Sequence, residues 1–151
     1  DTIMLDANSI EHFNRVSDEH VTTYVDGGDG VDTLVLAGSL DVSQLLGVSI
    51  QNVERIDMTG EDGVNNTLTL SVDAVITQDK GVFDTGAGFE DYHQLLVDGD
   101  AGDSVVLTDT AGVWSSSGTP FNDGVSYYDV YFNEANHVQL LVRQIMEQPQ
   151  I

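Results

Sequence analysis

Hydrophobic positions along the chain recur at two different spacings. Near the start, a short apolar stretch, Ile3-Met4-Leu5, reads as a strand, and Ile10, Phe13 and Val16 follow three residues apart behind Ser9, a pattern that predicts a short helix capped by that serine. From Val21 onward the spacing shortens to β-type runs: 21–25, 33–37, 50–58, 67–72, 94–97, 104–108, 125–132 and 138–145. Gly, Asp and Asn clusters separate them. Two segments, Leu40–Leu46 and Val72–Thr77, place apolar residues three and four apart and predict single helical turns between strands. The last two runs flank Asn133-Glu134-Ala135-Asn136, which predicts a hairpin. The expected fold is mainly β: a β-sandwich-like single domain over 1–151, of about eight strands with two or three short helical connectors. Residues 1–20 form its strand and short helix, and 147–151 read as an onward linker. Lys80–Glu90 is Gly-rich and reads as a long loop or a point where another domain could be inserted.

Charge changes this picture more than length does. The chain has 151 residues, 26 acidic and only 4 basic, for a formal net charge of −22. Phosphate backbones and anionic lipid would be repelled, so no nucleic-acid partner is expected. No apolar run reaches the ~18 residues of a membrane helix, and no membrane insertion is expected. Self-repulsion favours a monomer. The absence of cysteine excludes a disulfide framework, a thiolate zinc site and a thiol nucleophile. The acids comprise 19 Asp and 7 Glu. That bias favours short side chains that tolerate turns and present hard oxygens close to the backbone, as calcium loops require. A solvated acidic surface is the competing explanation, and the placement of the aspartates has to decide.

Placement is informative in two loops. Gly27-Gly28-Asp29-Gly30-Val31-Asp32-Thr33-Leu34-Val35 matches the glycine–aspartate nonapeptide G-G-x-G-x-D-x-U-x at every position, with Asp26 just before it. Its glycines permit positive φ and turn carbonyls inward, and its aspartates add carboxylates, so Asp26, Gly28, Asp29, Gly30 and Asp32 are candidate calcium ligands. Asp98-Gly99-Asp100-Ala101-Gly102-Asp103 repeats the logic without the glycine pair and makes Asp98, Asp100 and Asp103 candidates as well. An ordinary polar turn is the alternative in both places. A third cluster, Gly60-Glu61-Asp62-Gly63 with Asn65 and Asn66, reads as a surface turn. Nothing after Val35 repeats the nonapeptide, which argues against a stacked parallel roll. Either the two loops meet to complete a coordination shell or each relies on carbonyls and water.

Catalytic patterns are absent from the sequence. The four histidines, His12, His20, His93 and His137, have no paired spacing, there is no G-x-S-x-G elbow, and carboxylate pairs are too abundant to single one out. The chain is not expected to be an enzyme. Trp114, Tyr127, Tyr128 and Tyr131 are candidates for a stacking surface, although Tyr128 points away from the strand face shared by Tyr127 and Tyr131.

Taken in order, Asp29–Leu36, Val53-Glu54-Arg55-Ile56-Asp57-Met58, Asn66–Leu70, Leu96–Leu107 and the closing segment with Asp123-Gly124-Val125 and Tyr127–Tyr131 resemble modules of very large RTX adhesins, which bacteria export by type 1 secretion. The similarity covers about residues 21–145 and is nearest to the split scaffold-type domain beside the ligand-binding region. It implies a calcium-dependent, secreted or cell-surface module that positions neighbouring domains of the same long chain in adhesion or biofilm formation. Direct calcium-dependent binding of a cell-surface glycan or protein is the alternative role. The second loop departs from the family pattern in lacking paired glycines.

Overall fold

The computed structural model describes residues 1–14, 24–43, 49–60 and 64–151. Over these residues the chain is mainly β, with thirteen short strands and two helices. The N-terminal strand β1 (Thr2–Leu5) leads into α1 (Ala7–Asn14). The helix is capped by Asp6 rather than by the expected Ser9: the Asp6 carboxylate accepts the Ser9 N–H at 2.8 Å, which holds its pKa below the ordinary aspartate value. Val16 and Val21–Thr23, assigned above to the helix and the first strand run, lie outside the described residues.

From there the chain winds. β2 (Tyr24–Asp26), β3 (Thr33–Leu36) and β4 (Leu40–Asp41) make one circuit, and β5 (Ser49–Gln51), β6 (Arg55–Asp57) and β7 (Thr67–Leu70) make the next. After α2 (Val72–Val75), a third circuit runs through β8 (His93–Asp98) and β9 (Ser104–Leu107). Strands of successive circuits pair in parallel: β2 with β5, β3 with β6 and β6 with β8, β4 with β7 and β7 with β9. Each circuit therefore adds a strand to separate sheets that enclose one core. This differs from two facing sheets joined by hairpins, and β4 takes the place of the helical turn expected from Leu40; residues 44–46 of that segment lie outside the described residues. The run expected over 50–58 is split into β5 and β6 at Asn52, which has φ 51°.

Stacking follows from the pleat. Side chains of alternate residues face the core, and in-register pairing puts like residues above one another. Ile3, Leu34, Ile56, Val97 and Val142 form one such row, and Leu40, Leu68 and Val105 another. All but the partly buried Ile3 are buried in a single apolar cluster.

The last third closes the stack. β10 (Ser115–Ser116), β11 (Phe121–Asn122), β12 (Tyr127–Asn133) and β13 (Val138–Arg143) extend the first sheet in the order β1-β3-β6-β8-β13-β12-β10, with β11 also against β12. β12 and β13 form the expected antiparallel hairpin, while β13 lies parallel to β8. Leu96, Tyr128, Val130 and Leu141 make a second cluster with Phe83 and Phe121, so β8 and β13 are covered on both faces. Of the four aromatics proposed as a stacking surface, Trp114, Tyr128 and Tyr131 are buried and only Tyr127 is exposed. That surface does not exist.

The circuits are also tied at their corners by side chains that accept backbone N–H groups of a neighbouring circuit. Glu54 accepts from Asp32 at 2.8 Å, Gln78 from Val53 at 2.9 Å, Asp103 from Asn66 at 2.8 Å and Asp109 from Val72 at 3.0 Å. A buried bond to a charged acceptor contributes about 1.5–3 kcal/mol. Asp103→Ala should therefore lower the unfolding free energy in urea by about 2 kcal/mol, whereas Asp100→Ala, in the same loop, should change it by no more than about 0.5 kcal/mol. Equal effects of the two substitutions would show that the corner bond is not what holds the circuits.

Candidate functional site

The first acidic loop, 26–32, feeds the start of β3, and the second, 98–103, leaves the end of β8. Because β3, β6 and β8 run parallel, the two loops lie at opposite ends of the sheet and do not share a coordination shell. In the first loop Gly28 and Gly30 adopt φ 87° and 125°, the left-handed conformations anticipated from the nonapeptide. Gly27 is required for closeness instead, since a Cβ there would stand 1.8 Å from the Asn52 carbonyl oxygen. Asp26 is exposed, and its carboxylate accepts the Gly28 N–H at 3.1 Å and the Asn52 side-chain amide at 2.7 Å. Asp29 is exposed. Asp32, by contrast, is fully buried; one carboxylate oxygen receives the amino group of Asp1 and the other, Oδ2, has no hydrogen-bond partner.

Beside it sits a residue that the motif does not include. Glu54 is also fully buried; its Oε2 accepts the Asp32 N–H and its Oε1 is without a partner. Desolvation pushes the Glu54 pKa above its ordinary value, the Asp32 N–H opposes that, and the charge of Asp79 adds to it. The signal in the sequence was an acid next to Val53 within the β-type run expected over 50–58, where charged side chains are seldom fully buried.

The second loop separates its three candidates. Asp103 is buried and spends both oxygens on backbone N–H groups, Oδ1 on Asn66 and Oδ2 on Asp100 at 2.7 Å. Asp100 contributes its backbone to that turn. The same turn packs on the third cluster, because a Cβ on Gly102 would meet the Asn65 side chain at 2.5 Å; Glu61–Gly63 of that cluster lie outside the described residues.

Asp98 faces elsewhere, into an open polar cleft of about 270 Å³ lined by Arg55, Asp57, Thr59, Asp123, Val125, Ser126, Tyr128 and Arg143. Four of these groups close a ring. Arg55 reaches Asp98 at 3.1 Å and Asp123 at 3.0 Å, and the Tyr128 hydroxyl lies 2.7 Å from Asp98 and 3.2 Å from Asp123. Desolvation raises the Asp98 pKa against the Tyr128 bond and the charges of Arg55 and Arg143. Desolvation acts on Asp123 too, but the Ser126 and Val125 N–H groups outweigh it and its pKa is lowered. Burial and the Asp98 bond push the Tyr128 phenol upward. Tyr128 was read in the sequence only as a stacking aromatic, and its meeting with Arg55, Asp98 and Asp123 was not legible there, because the ring's members come from three strands and a turn.

Among the described residues, no three His, Asp or Glu side chains converge as a preformed metal cage. No described helix is long and apolar enough to cross a membrane. Comparison with protein-family models, with curated proteins and with solved structures returns no match.

The raised Glu54 pKa fixes the sign of a pH effect. A carboxyl whose folded pKa exceeds its unfolded value stabilises the fold while protonated, and that stability is lost as pH rises through the folded pKa. The stability of the native chain relative to Glu54→Gln, followed by urea denaturation in calcium-free buffer, should fall as pH is raised from the ordinary glutamate range toward neutrality. A difference that stays flat or grows with pH would mean that the buried carboxyl is already compensated.

Proposed function

We propose that this chain is a calcium-stabilised structural module of a secreted, cell-surface adhesin of the RTX kind, one that holds neighbouring domains of the same long chain in position. The observation that carries the reading is the pair of fully buried, unpartnered carboxylate oxygens, Asp32 Oδ2 and Glu54 Oε1, at the end of the nonapeptide loop. A buried carboxylate oxygen without a donor costs several kcal/mol unless a proton or a cation compensates it. Hard carboxylate oxygens suit calcium, which takes 6–8 oxygens and commonly completes its shell with carbonyls and water. Asp32 and Glu54 would hold the ion, and Asp26, Gly28, Asp29 and Gly30 of the same loop are the further candidates. When bound, calcium supplies positive charge that offsets the mutual repulsion of these acids, so it acts as a folding ligand.

The rest of the molecule supports a structural role for this end of the sheet. Asp103 is committed to backbone N–H groups and Asp98 to the Arg55 and Tyr128 ring, so the calcium proposal narrows to the first loop. A wound stack whose circuits add strands to the same sheets is suited to linking domains along a line. Low calcium inside the producing cell would leave the module less stable before export, and external calcium would complete it.

Thermal melts in EGTA, in millimolar calcium and in magnesium test this. Calcium 100-fold above its dissociation constant should add roughly 2.7 kcal/mol per site, a shift of several degrees that magnesium does not reproduce. Asp32→Asn should abolish the calcium-dependent increment, and Asp100→Asn should leave it intact. A melt unaffected by calcium would sink the proposal.

A further inference from the structure

The ring of Arg55, Asp98, Tyr128 and Asp123 forms the floor of a cleft at the opposite end of the sheet from the first loop, where β6, β8 and β13 end beside the turn preceding β12. Two of the chain's four basic residues, Arg55 and Arg143, stand in it, although the protein as a whole carries −22. The floor groups are already committed to one another. Asp123 also accepts the Val125 and Ser126 N–H groups at 2.9 and 2.8 Å, so it has little left to offer a ligand.

What remains is confined to the rim. Asp57 uses Oδ1 for the Thr59 N–H and hydroxyl, at 2.8 and 2.6 Å, and keeps Oδ2 as an acceptor. Arg143 spends Nη1 on the Gly99 carbonyl at 3.2 Å, and its planar fork retains further donors. Val125, 90% exposed, adds an apolar wall. The charges in the cleft decide what fits. A divalent cation meets two guanidinium groups, and an anion meets the carboxylates of Asp57 and Asp98. A neutral molecule bearing adjacent hydroxyls meets neither penalty, because one hydroxyl can donate to Asp57 while its neighbour accepts from Arg143, and C–H groups can rest on Val125. A volume of about 270 Å³ lies just below the range of small-molecule sites, roughly 300–1,000 Å³, and suits a compact ring.

We propose that this cleft binds a single neutral saccharide residue through vicinal hydroxyls held between Asp57 and Arg143. The inference rests on the cleft alone and stands whether or not the first loop takes calcium.

Amide NMR of the whole chain tests it, with methyl pyranosides of glucose, galactose, mannose and fucose added up to tens of millimolar, and with glutamate, sulfate and calcium titrated separately. At least one pyranoside should move the Thr59, Val125 and Ser126 amides saturably. Arg143→Met, which keeps the aliphatic stem, should weaken that binding about tenfold, the loss of a charge-assisted hydrogen bond. Asp57→Ala should do the same, and an unchanged fold of each variant is read from amides remote from the cleft. The proposal fails if no pyranoside moves those amides, if Arg143→Met binds as well as the native chain, or if only glutamate, sulfate or calcium saturates the site.

Discussion

Acceptance of a backbone N–H by a side chain of the neighbouring circuit is the interaction on which the rest of this structure depends. Parallel strands joined by long connections have no hairpin to set their register, so something else must prevent one circuit from sliding along the next. Hydrophobic rows resist a slip by one residue, which would turn the core face to solvent, but a slip by two keeps apolar positions inward. The corner bonds oppose that slip, because each ties one named N–H to one carboxylate or amide: Asp32 to Glu54, Asn66 to Asp103, Val72 to Asp109 and Val53 to Gln78. Short, strongly accepting side chains suit such corners. This explains part of the aspartate excess without reference to any ligand.

The elements themselves were largely legible in the sequence, and the way they assemble was not. Short β runs at 33–36, 67–70 and 104–107, the helical turn at 72–75 and the closing hairpin follow from apolar alternation and Gly-Asp punctuation, local signals that survive in one sequence. The winding has no such signature because the circuits differ in length. Thr2 pairs with Thr33, Thr33 with Arg55 and Arg55 with Leu96, spacings of 31, 22 and 41 residues. A stacked architecture is ordinarily recognised by a constant period. Here the period is absent while the stacking persists, so the argument from a missing nonapeptide repeat pointed away from a wound fold. The strand from Leu40 went the same way: its i, i+3 apolar spacing looked helical, but Leu40 stacks on Leu68 in a parallel pair.

The candidate sites divide along a similar line. Whether an aspartate in a Gly-rich loop is a ligand or a fastener cannot be read from spacing, since both uses need a short carboxylate at a strand entrance. Asp32 and Asp103 each precede a strand, Thr33–Leu36 and Ser104–Leu107, and each is buried. They differ in what their oxygens meet. Asp103 receives an N–H on each oxygen, so fixed dipoles compensate its charge inside the fold. Asp32 keeps one oxygen without a donor, next to a second buried acid in the same condition.

That difference turns a compositional excess into a local one. A net charge of −22 spread over a solvated surface is screened within about 10 Å at ordinary ionic strength and weighs little on any single residue. Buried acids lack that screening, so each must be compensated where it stands. The protein does so with backbone N–H groups at the buried Asp103 and with arginine and a tyrosine hydroxyl at the partly buried Asp98, whereas at Asp32 and Glu54 no hydrogen bond among the described residues reaches the two outer oxygens. The Asp103 arrangement is complete within the fold, while desolvation still holds the Asp98 pKa above its ordinary value despite the Tyr128 and Arg55 contacts. Asp32 Oδ2 and Glu54 Oε1 are left without that compensation. Among the described side chains, the buried carboxylate oxygens left without a donor are therefore concentrated at one corner of the stack, where Glu54 meets the start of β3.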